Sequence, residues 1–447
     1  MNSLQMGFSR VDITPPLGAR LSGYYKVRRA EGILEPLEAS CAVFSCNDVC
    51  VAILSVDNLG ITKVNLDPVR ERISQETGLP LAAIFIHCVH IHTGPFVDFQ
   101  SDDPLDAEYA ALFTRRMIDA VKLAMADLQP ARLGYGIGTA ANIAFSRRFR
   151  MKDGSVRTNP GINNPEILHP IGDIDERVSV IRVDRSEDSL VLVNFANHPD
   201  SVGGCKISAD WPGFMRRTVE LVLPQTKCMF INGAEGDVGH INVHPKGGDL
   251  NDLFVDFDDV VRGYGHTRYL GRVVAGSVLQ VYDKVKYIDV DRVQYIQEDI
   301  LIPYNLPKPE DMPEAHRIND LHNAGCDDQI PYAGMMLTTV VAEAARMVRL
   351  EHAPEAFQLP IIGFAIGDIA FLGVPGEPFT GVGLALKESE GWELVVPACN
   401  TNGKEGYFPM MEAYNEGGYE ARSSNFKAGV AERIIDGGRQ VLEQLKK

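Results

Sequence analysis

The sequence has no long apolar run: no stretch of about 18 or more apolar residues occurs, which excludes a transmembrane helix. Its opening, MNSLQMGFSRVDITPP, has no basic region followed by an apolar one, so no secretory leader is expected. Cysteine is sparse, with eight residues in 447. Cys46 and Cys50 are separated by three residues, but no second close pair follows, so a zinc-ribbon pattern is absent. Without a leader, reduced thiols in a cytoplasmic setting are the expectation. Positive charge is also short, with 43 Lys and Arg against 60 Asp and Glu and a net charge of −17. That balance argues against a nucleic-acid partner or an anionic membrane surface and leaves a small-molecule substrate open. No repeat and no low-complexity tract is present.

What remains is an ordinary globular composition, 45% hydrophobic and 23% charged. The chain is long enough to bury a large core. Residues 7–25 are rich in turn formers and read as an irregular segment laid against that core. Ala39–Phe44 and Val49–Val56 read as strands, followed by a helix from Val64 to about Thr77 capped at Asn65 or Asp67. Asp106 to about Leu128 reads as an amphipathic helix with Leu112, Met117, Val121 and Met125 on its buried face. Strands are expected at 131–137, Val178–Val183, Leu190–Ala196, Cys228–Ile231, 291–303, Phe357–Ile366, Ile369–Val374 and Leu394–Pro397. Helices are expected near 210–222, 267–281, 314–322, 335–349 and 426–445. Gly154–Pro170 and Tyr407–Tyr419 read as loops. This alternation predicts an α/β fold, a mixed β-sheet core flanked by helices.

One stretch stands out: Ile86-His87-Cys88-Val89-His90-Ile91-His92-Thr93-Gly94-Pro95 holds three of the eleven histidines. It follows the apolar run Leu81–Ile86, which reads as a buried strand, and stops at a Gly-Pro turn. The cluster therefore sits at the end of a core strand, where α/β proteins place their chemistry. On an extended chain His90 and His92 face the same side, roughly 6.5–7 Å apart, and His87 points elsewhere. One of the pair could hold a metal while the other faces substrate, or both could bind one ion.

Other strand ends carry compatible groups. His198 follows the strand Leu190–Ala196, and Glu377 follows Ile369–Val374. Two imidazoles and a carboxylate with one open position form a common catalytic-zinc arrangement. Asn232–Asn242 carries glycine at 233, 236 and 239, which suggests a tight loop where backbone approaches a ligand; the ending of a phosphate loop is missing. Ser146–Lys152 is a local basic cluster that could bind an anionic or carbonyl oxygen. Spacing alone does not bring these ends together.

Several ordered motifs do. "VDITPPLG" with "LSGYY", then "HIHTGP", "GDVGHIN", "VPGEP" and "GYFPMMEAYNEGGYEA" occur in that order along most of the chain. In this the sequence resembles the neutral/alkaline (non-lysosomal) ceramidase family. The resemblance implies a single α/β catalytic domain over 1–447, with an insertion or lid at about 304–334. The family's C-terminal Ig-like domain finds no counterpart in this sequence. Carried over by motif, the zinc ligands fall on His90, His198, Glu377 and Tyr407. The catalytic histidine falls on His92, the substrate-oxygen arginine on Arg147, and the tyrosine that assists the carbonyl on Tyr419. The serine of the Gly-Asp-Val-Ser motif is Gly239 here, which excludes an acyl-serine route through this position.

These residues imply a hydrolase with one zinc ion per chain that uses metal-activated water on an amide bond of a small polar substrate. His92 is then the general base or positions the water, and Arg147 and Tyr419 stabilise the oxyanion. Asp237 is expected either to orient a ligand histidine or to cap its loop. Two alternatives stay open: an esterase or lactonase at the same site, and a catalytically inactive relative that binds without turnover. Residues 146–170 and 304–334 are expected to shape the pocket; His240 and His244 could touch substrate or a second ion, and surface loop histidines are the preferred reading. Oligomeric state is open, a homo-oligomer included.

Overall fold

A computed structural model describes residues 4–249 and 263–447. Three larger sheets carry the fold. In the first, the strands run in the order Ile84–Cys88, Val49–Val56, Glu38–Cys46, Gln5–Asp12, Gln129–Pro130. The second has the order Thr226–Asn232, Ser189–Phe195, Arg177–Asp184, Arg132–Thr139, Lys286–Ile288. The third runs Val293–Pro303, Ala356–Ile366, Ile369–Gly373, Leu394–Ala398. Each is antiparallel except at one edge, where it ends in a parallel pair: Val49–Val56 with Ile84–Cys88, Ser189–Phe195 with Thr226–Asn232, and Ile369–Gly373 with Leu394–Ala398. Together with ten helices among the described residues, this is the expected mixed α/β architecture.

Burial explains the strand sequences. The three sheets share one apolar core in which Phe44, Ile53 and Phe85 of the first meet Ile181, Leu192 and Ile231 of the second and Phe364, Phe371 and Val396 of the third. Ile84–Cys88 is buried along its whole length, so it shows no polar alternation. A second core lies under the helices Lys63–Thr77, Pro104–Ala126, Asp210–Val222 and Tyr264–Tyr282. The C-terminal helix Val430–Gln444 packs its apolar stripe on the third sheet through Val430, Ile434, Val441 and Leu442.

Several expectations need correction. Residues 5–12 are a strand, paired with Glu38–Cys46 along all eight positions. Turn formers begin in earnest only at Thr14, and sheet pairing sets the conformation before it. The stretch 154–170 contains two short strands, Val156–Thr158 and Ile167–Pro170, which pair on either side of Arg148–Met151. Tyr407–Tyr419 opens as a two-residue strand, Tyr407–Phe408, and contains the short helix Met411–Glu416. In Pro104–Ala126 the buried face is Tyr109, Phe113, Met117, Val121 and Ala124, and Leu112 is exposed. The first helix begins at Lys63 with Thr62 at its cap position, so neither Asn65 nor Asp67 caps it. Within 304–334 the helix Met312–Asn323 forms, and it packs on Gly334–Leu350 around a small core of Ala315, Ile318, Ile330, Val340 and Ala344. Among the described residues no helix is long and apolar enough to cross a membrane.

Candidate metal centre

All three parallel pairs point their C-terminal ends at one place. Residues just beyond all six strands meet there: Leu59 after Val56, His90 after Cys88, His198 after Phe195, Glu235 after Asn232, Glu377 after Gly373, and Asn400 after Ala398. Backbone bonds stitch the three ends together. Cys399 donates its N–H to the Asn232 carbonyl (3.1 Å), Cys88 to that of Asn400 (3.1 Å), and Asn402 to that of Ile86 (2.9 Å).

The strand Ile84–Cys88 ends before the histidine pair, and His90 takes a left-handed backbone conformation with φ of 79°. The extended geometry expected for residues 90–92 is therefore absent. His90 and His92 still converge, with ring centroids 5.1 Å apart, because the chain turns between them. A positive φ at a histidine is uncommon and is held only by its surroundings. His198 completes the cluster, with its ring 4.8 Å from that of His90 and 5.8 Å from that of His92.

Each of the three rings is pinned from behind by a backbone carbonyl. His90 Nδ1 lies 2.7 Å from the Leu59 oxygen, His92 Nδ1 2.9 Å from that of Gly23, and His198 Nδ1 3.0 Å from that of Glu235. A carbonyl oxygen only accepts, so each Nδ1 carries the proton and each Nε2 turns a lone pair inward. Gly23 must be glycine for this: a β-carbon there would stand 2.7 Å from His92 Cα, at a φ of 112°. His87 differs. Its Nδ1 donates to the Cys399 oxygen (2.7 Å) and its Nε2 accepts from the Asn232 N–H (2.9 Å), so both nitrogens are satisfied within the core. Burial holds His87 neutral, with its pKa down at about 4.

The carboxylates face these lone pairs. Glu377 Oε2 stands 3.3 Å from His90 Nε2 and 3.5 Å from His198 Nε2. Neither His90 Nε2 nor Glu377 Oε2, both buried, has a well-formed hydrogen bond. Two acceptors so placed repel unless a positive charge lies between them. The electrostatics agree. Burial works against a charged His90, yet Glu377, helped by Glu235, lifts its pKa above the ordinary value. Burial would raise Glu377, but His90 and His198 hold it well below the usual carboxylate range. His198 is pushed down to about 4 by burial and by Arg147. Donor atoms of His90, His92 and His198 lie within 4.8 Å of one another, and so do those of His90, Glu235 and Glu377. These donors fit a small divalent cation that accepts nitrogen and oxygen, as zinc does. The pinned Nδ1 atoms are the support such ligands need.

No protein-family model matches the chain, and no curated protein matches it. Solved structures do. "Crystal Structure Analysis of neutral ceramidase from Pseudomonas aeruginosa" superposes with a TM-score of 0.72 at 17% identity, over 100% of this chain and 75% of that one. "Ceramidase complexed with C2" superposes with a TM-score of 0.71 at 16% identity, over 100% of this chain and 76% of that one. The chain has the neutral ceramidase fold.

Around the cluster, this ceramidase-like fold gathers the remaining expected residues. Glu377 and Tyr407 lie opposite each other in a parallel ladder of two residues, Glu377–Pro378 with Tyr407–Phe408. The Arg147 guanidinium is buried. Its Nε pairs with Glu420 (2.7 Å), its Nη1 donates to His198 Nε2 (3.1 Å), and its Nη2 donates to the Gly236 oxygen (2.7 Å). It also bonds the Tyr407 hydroxyl. Burial raises the Tyr407 phenol well above its ordinary value against the pull of Arg147, so it is neutral near pH 7. The Tyr419 hydroxyl sits 3.1 Å from that of Tyr25. Gly239 lies beside Arg147, and a β-carbon there would stand 3.6 Å from the Arg147 Cβ, an ordinary contact.

Other expectations fail. Asp237 accepts from the Thr380 N–H (2.7 Å) and hydroxyl (2.9 Å), capping a helix and orienting no histidine. Arg148 and Arg150 of the basic cluster are taken up by Glu416. His240 is buried, 2% exposed, whereas His244 is exposed as expected. A cleft of about 380 Å³ opens onto the centre, lined by Tyr24, Tyr25, Arg349, Lys404, Glu405 and Tyr419 together with His90, His92, Glu377 and Tyr407. Neither 146–170 nor 304–334 lines it; residues 156–160 line a neighbouring cleft that shares Tyr419.

Sequence reasoning missed Glu235, Asn400 and Glu420. Glu235 is wholly buried, and burial with Glu377 nearby pushes its carboxyl up to about 8 although His90 opposes this. It stands just past an apolar strand, the same signal that marked His198 and Glu377. The Asn400 amide lies 3.0 Å from His90 Nδ1. Glu420 neutralises Arg147; it lies next to Tyr419 within the last of the quoted motifs, where the tyrosines drew the attention.

Proposed function

We propose that this chain is a zinc-dependent hydrolase that cleaves an amide bond of a small polar substrate. The observation that carries the reading is the tautomer lock: three clustered histidines are tied through Nδ1 to backbone carbonyls, and two of them, His90 and His198, present Nε2 to the buried Glu377. His90, His198, Glu377 and Tyr407 would hold the zinc ion. When bound, zinc supplies a Lewis acid that polarises a carbonyl and lowers the pKa of water to about 7.

The chain's own residues then divide the work. His92, held by the Gly23 carbonyl, keeps Nε2 as the acceptor for a proton at the mouth of the cleft. Arg147, fixed by Glu420 and the Gly236 oxygen, sets positive charge beside the centre. Tyr419, its phenol held neutral by burial, keeps an O–H to donate to a developing oxyanion, a contribution of roughly 3–4 kcal/mol for a well-placed donor. Gly239 offers no nucleophile, so no acyl-enzyme forms at this position and a route by direct attack of water remains. The ceramidase structures share the fold and lend amide cleavage its weight, while the polar, charged lining of the cleft favours a substrate more polar than a ceramide. All eight cysteines are free thiols, which suits a reducing cytoplasm.

The test is elemental analysis of untagged protein purified without chelator, followed by product analysis on matched amides, esters and lactones. About one zinc per chain and release of amine from amides are expected. Protein that takes up no zinc on titration would overturn the reading.

A further inference from the structure

We propose that the substrate is an amide that also carries a carboxylate, an N-acyl amino acid in its simplest form, and that Lys404 and Arg349 bind that carboxylate. This rests on the hydrolase reading above and names the substrate class of the same site.

The chain is strongly acidic, yet two cations face the cleft at the metal centre. Among the described residues Lys404 makes no hydrogen bond or ion pair, and Arg349 makes no ion pair. Both are nevertheless fixed in place. The stem of Lys404 lies along the backbone of Gly60, where an added β-carbon would come within 2.8 Å of Lys404 Cδ. The Arg349 guanidinium donates to Asn425 Oδ1 (2.5 Å), and Asn425 Nδ2 in turn donates to the Glu405 carbonyl (2.8 Å).

The acids of the same cleft attract them from a distance, Glu377 acting on Lys404 and Glu405 on Arg349, but among the described residues none forms a close ion pair with either. Glu377 is shared by His90 and His198. Glu405 accepts from the Lys63 backbone N–H (3.3 Å). Two pre-positioned cations without a committed anion repel each other, and a bound monoanion relieves that cost. The same cleft holds His92 and Tyr419, so one ligand can place its carbonyl at the centre and its carboxylate on Lys404 and Arg349. A volume of about 380 Å³ suits a molecule of that size.

The probes are N-benzoylglycine and its neutral match N-benzoylglycinamide, titrated calorimetrically into the full chain, both stripped of metal and loaded with zinc. The acid should bind at least about tenfold more tightly than the amide, equivalent to one good charged contact. Lys404→Gln and, separately, the more exposed Arg349→Gln should each reduce that preference, with thermal melts confirming the fold. Equal binding of the two probes, binding of neither, or an undiminished preference in both variants overturns the proposal. Tighter binding of inorganic phosphate than of N-benzoylglycine overturns the choice of carboxylate. Because the metal-free arm needs no zinc, the two readings can fail separately. Discrimination without zinc uptake would sink only the hydrolase. Zinc-dependent cleavage of neutral amides without discrimination would sink only the carboxylate site.

Discussion

The backbone of Gly236 lies directly against that of Glu377. A β-carbon at 236 would stand 2.5 Å from the Glu377 carbonyl oxygen and 2.9 Å from that of Pro378. Gly236, one of the loop glycines read in the sequence as room for a ligand, makes room for the protein backbone that carries Glu377. Gly236→Ala should therefore push Glu377 away from His90 and His198. A loss of about 1–3 kcal/mol is expected from overpacking, with a larger loss of zinc affinity than of fold. Thermal melts with and without zinc measure both, and an alanine variant that binds zinc normally would contradict this picture.

The histidines of the central stretch should separate cleanly by substitution. His90→Ala removes a donor and should abolish zinc uptake. His87→Ala breaks two core hydrogen bonds and should lower stability by about 1–3 kcal/mol while zinc uptake survives. Metal content of the two purified variants decides the matter.

Glu235 should give the metal-free protein a signature in pH. Its carboxyl is pushed up to about 8 when folded, against an ordinary 4.5. Between those values the folded state holds a proton that the unfolded chain has released, so this group's contribution falls as pH rises through the window. Glu235→Gln has no such proton. In urea melts of chelator-treated protein, its stability relative to wild type should rise from pH 5 to pH 8. A difference that stays flat would remove Glu235 from the account.

Acid should act in the opposite direction through His87 and His198, both held near 4. They are neutral when folded and take protons when unfolded, so stability is lost as pH falls from about 6.5 towards 4. Because Glu235 and His90 run the other way over the same range, the loss is read as a difference: the stability of metal-free His87→Gln relative to wild type should rise as pH falls from about 6.5 towards 4.

Gly239→Ser should fold normally, since the new side chain meets only an ordinary contact at Arg147. A stability within about 0.5 kcal/mol of wild type is expected. Tyr419→Phe should retain zinc and lose about 100- to 1,000-fold in kcat on whichever amide is turned over. A phenylalanine variant of full activity would remove Tyr419 from the oxyanion site.

Much of this was legible because each parallel strand is an apolar run that stops abruptly, and polar residues just past such stops mark a site. His90, His198 and Glu377 were found that way. The motif resemblance added Tyr407, Arg147 and Tyr419, which local patterning reads as loop and surface. Sequence order hid the rest. Gln5–Asp12 is a strand because of a distant partner, Glu38–Cys46. Glu235 was overlooked among glycines that drew attention to themselves. Lys404 is one lysine among many until the fold lays it over Gly60.

The convergence of six strand ends has a thermodynamic consequence. The donors come from all three sheets, so no fragment of the chain owns a binding site. For the proposed zinc ion, affinity and global stability would be one linked equilibrium: an ion present at a hundred times its dissociation constant would add about 2.7 kcal/mol to the whole fold. Scarcity of such an ion would then appear first as a less stable fold.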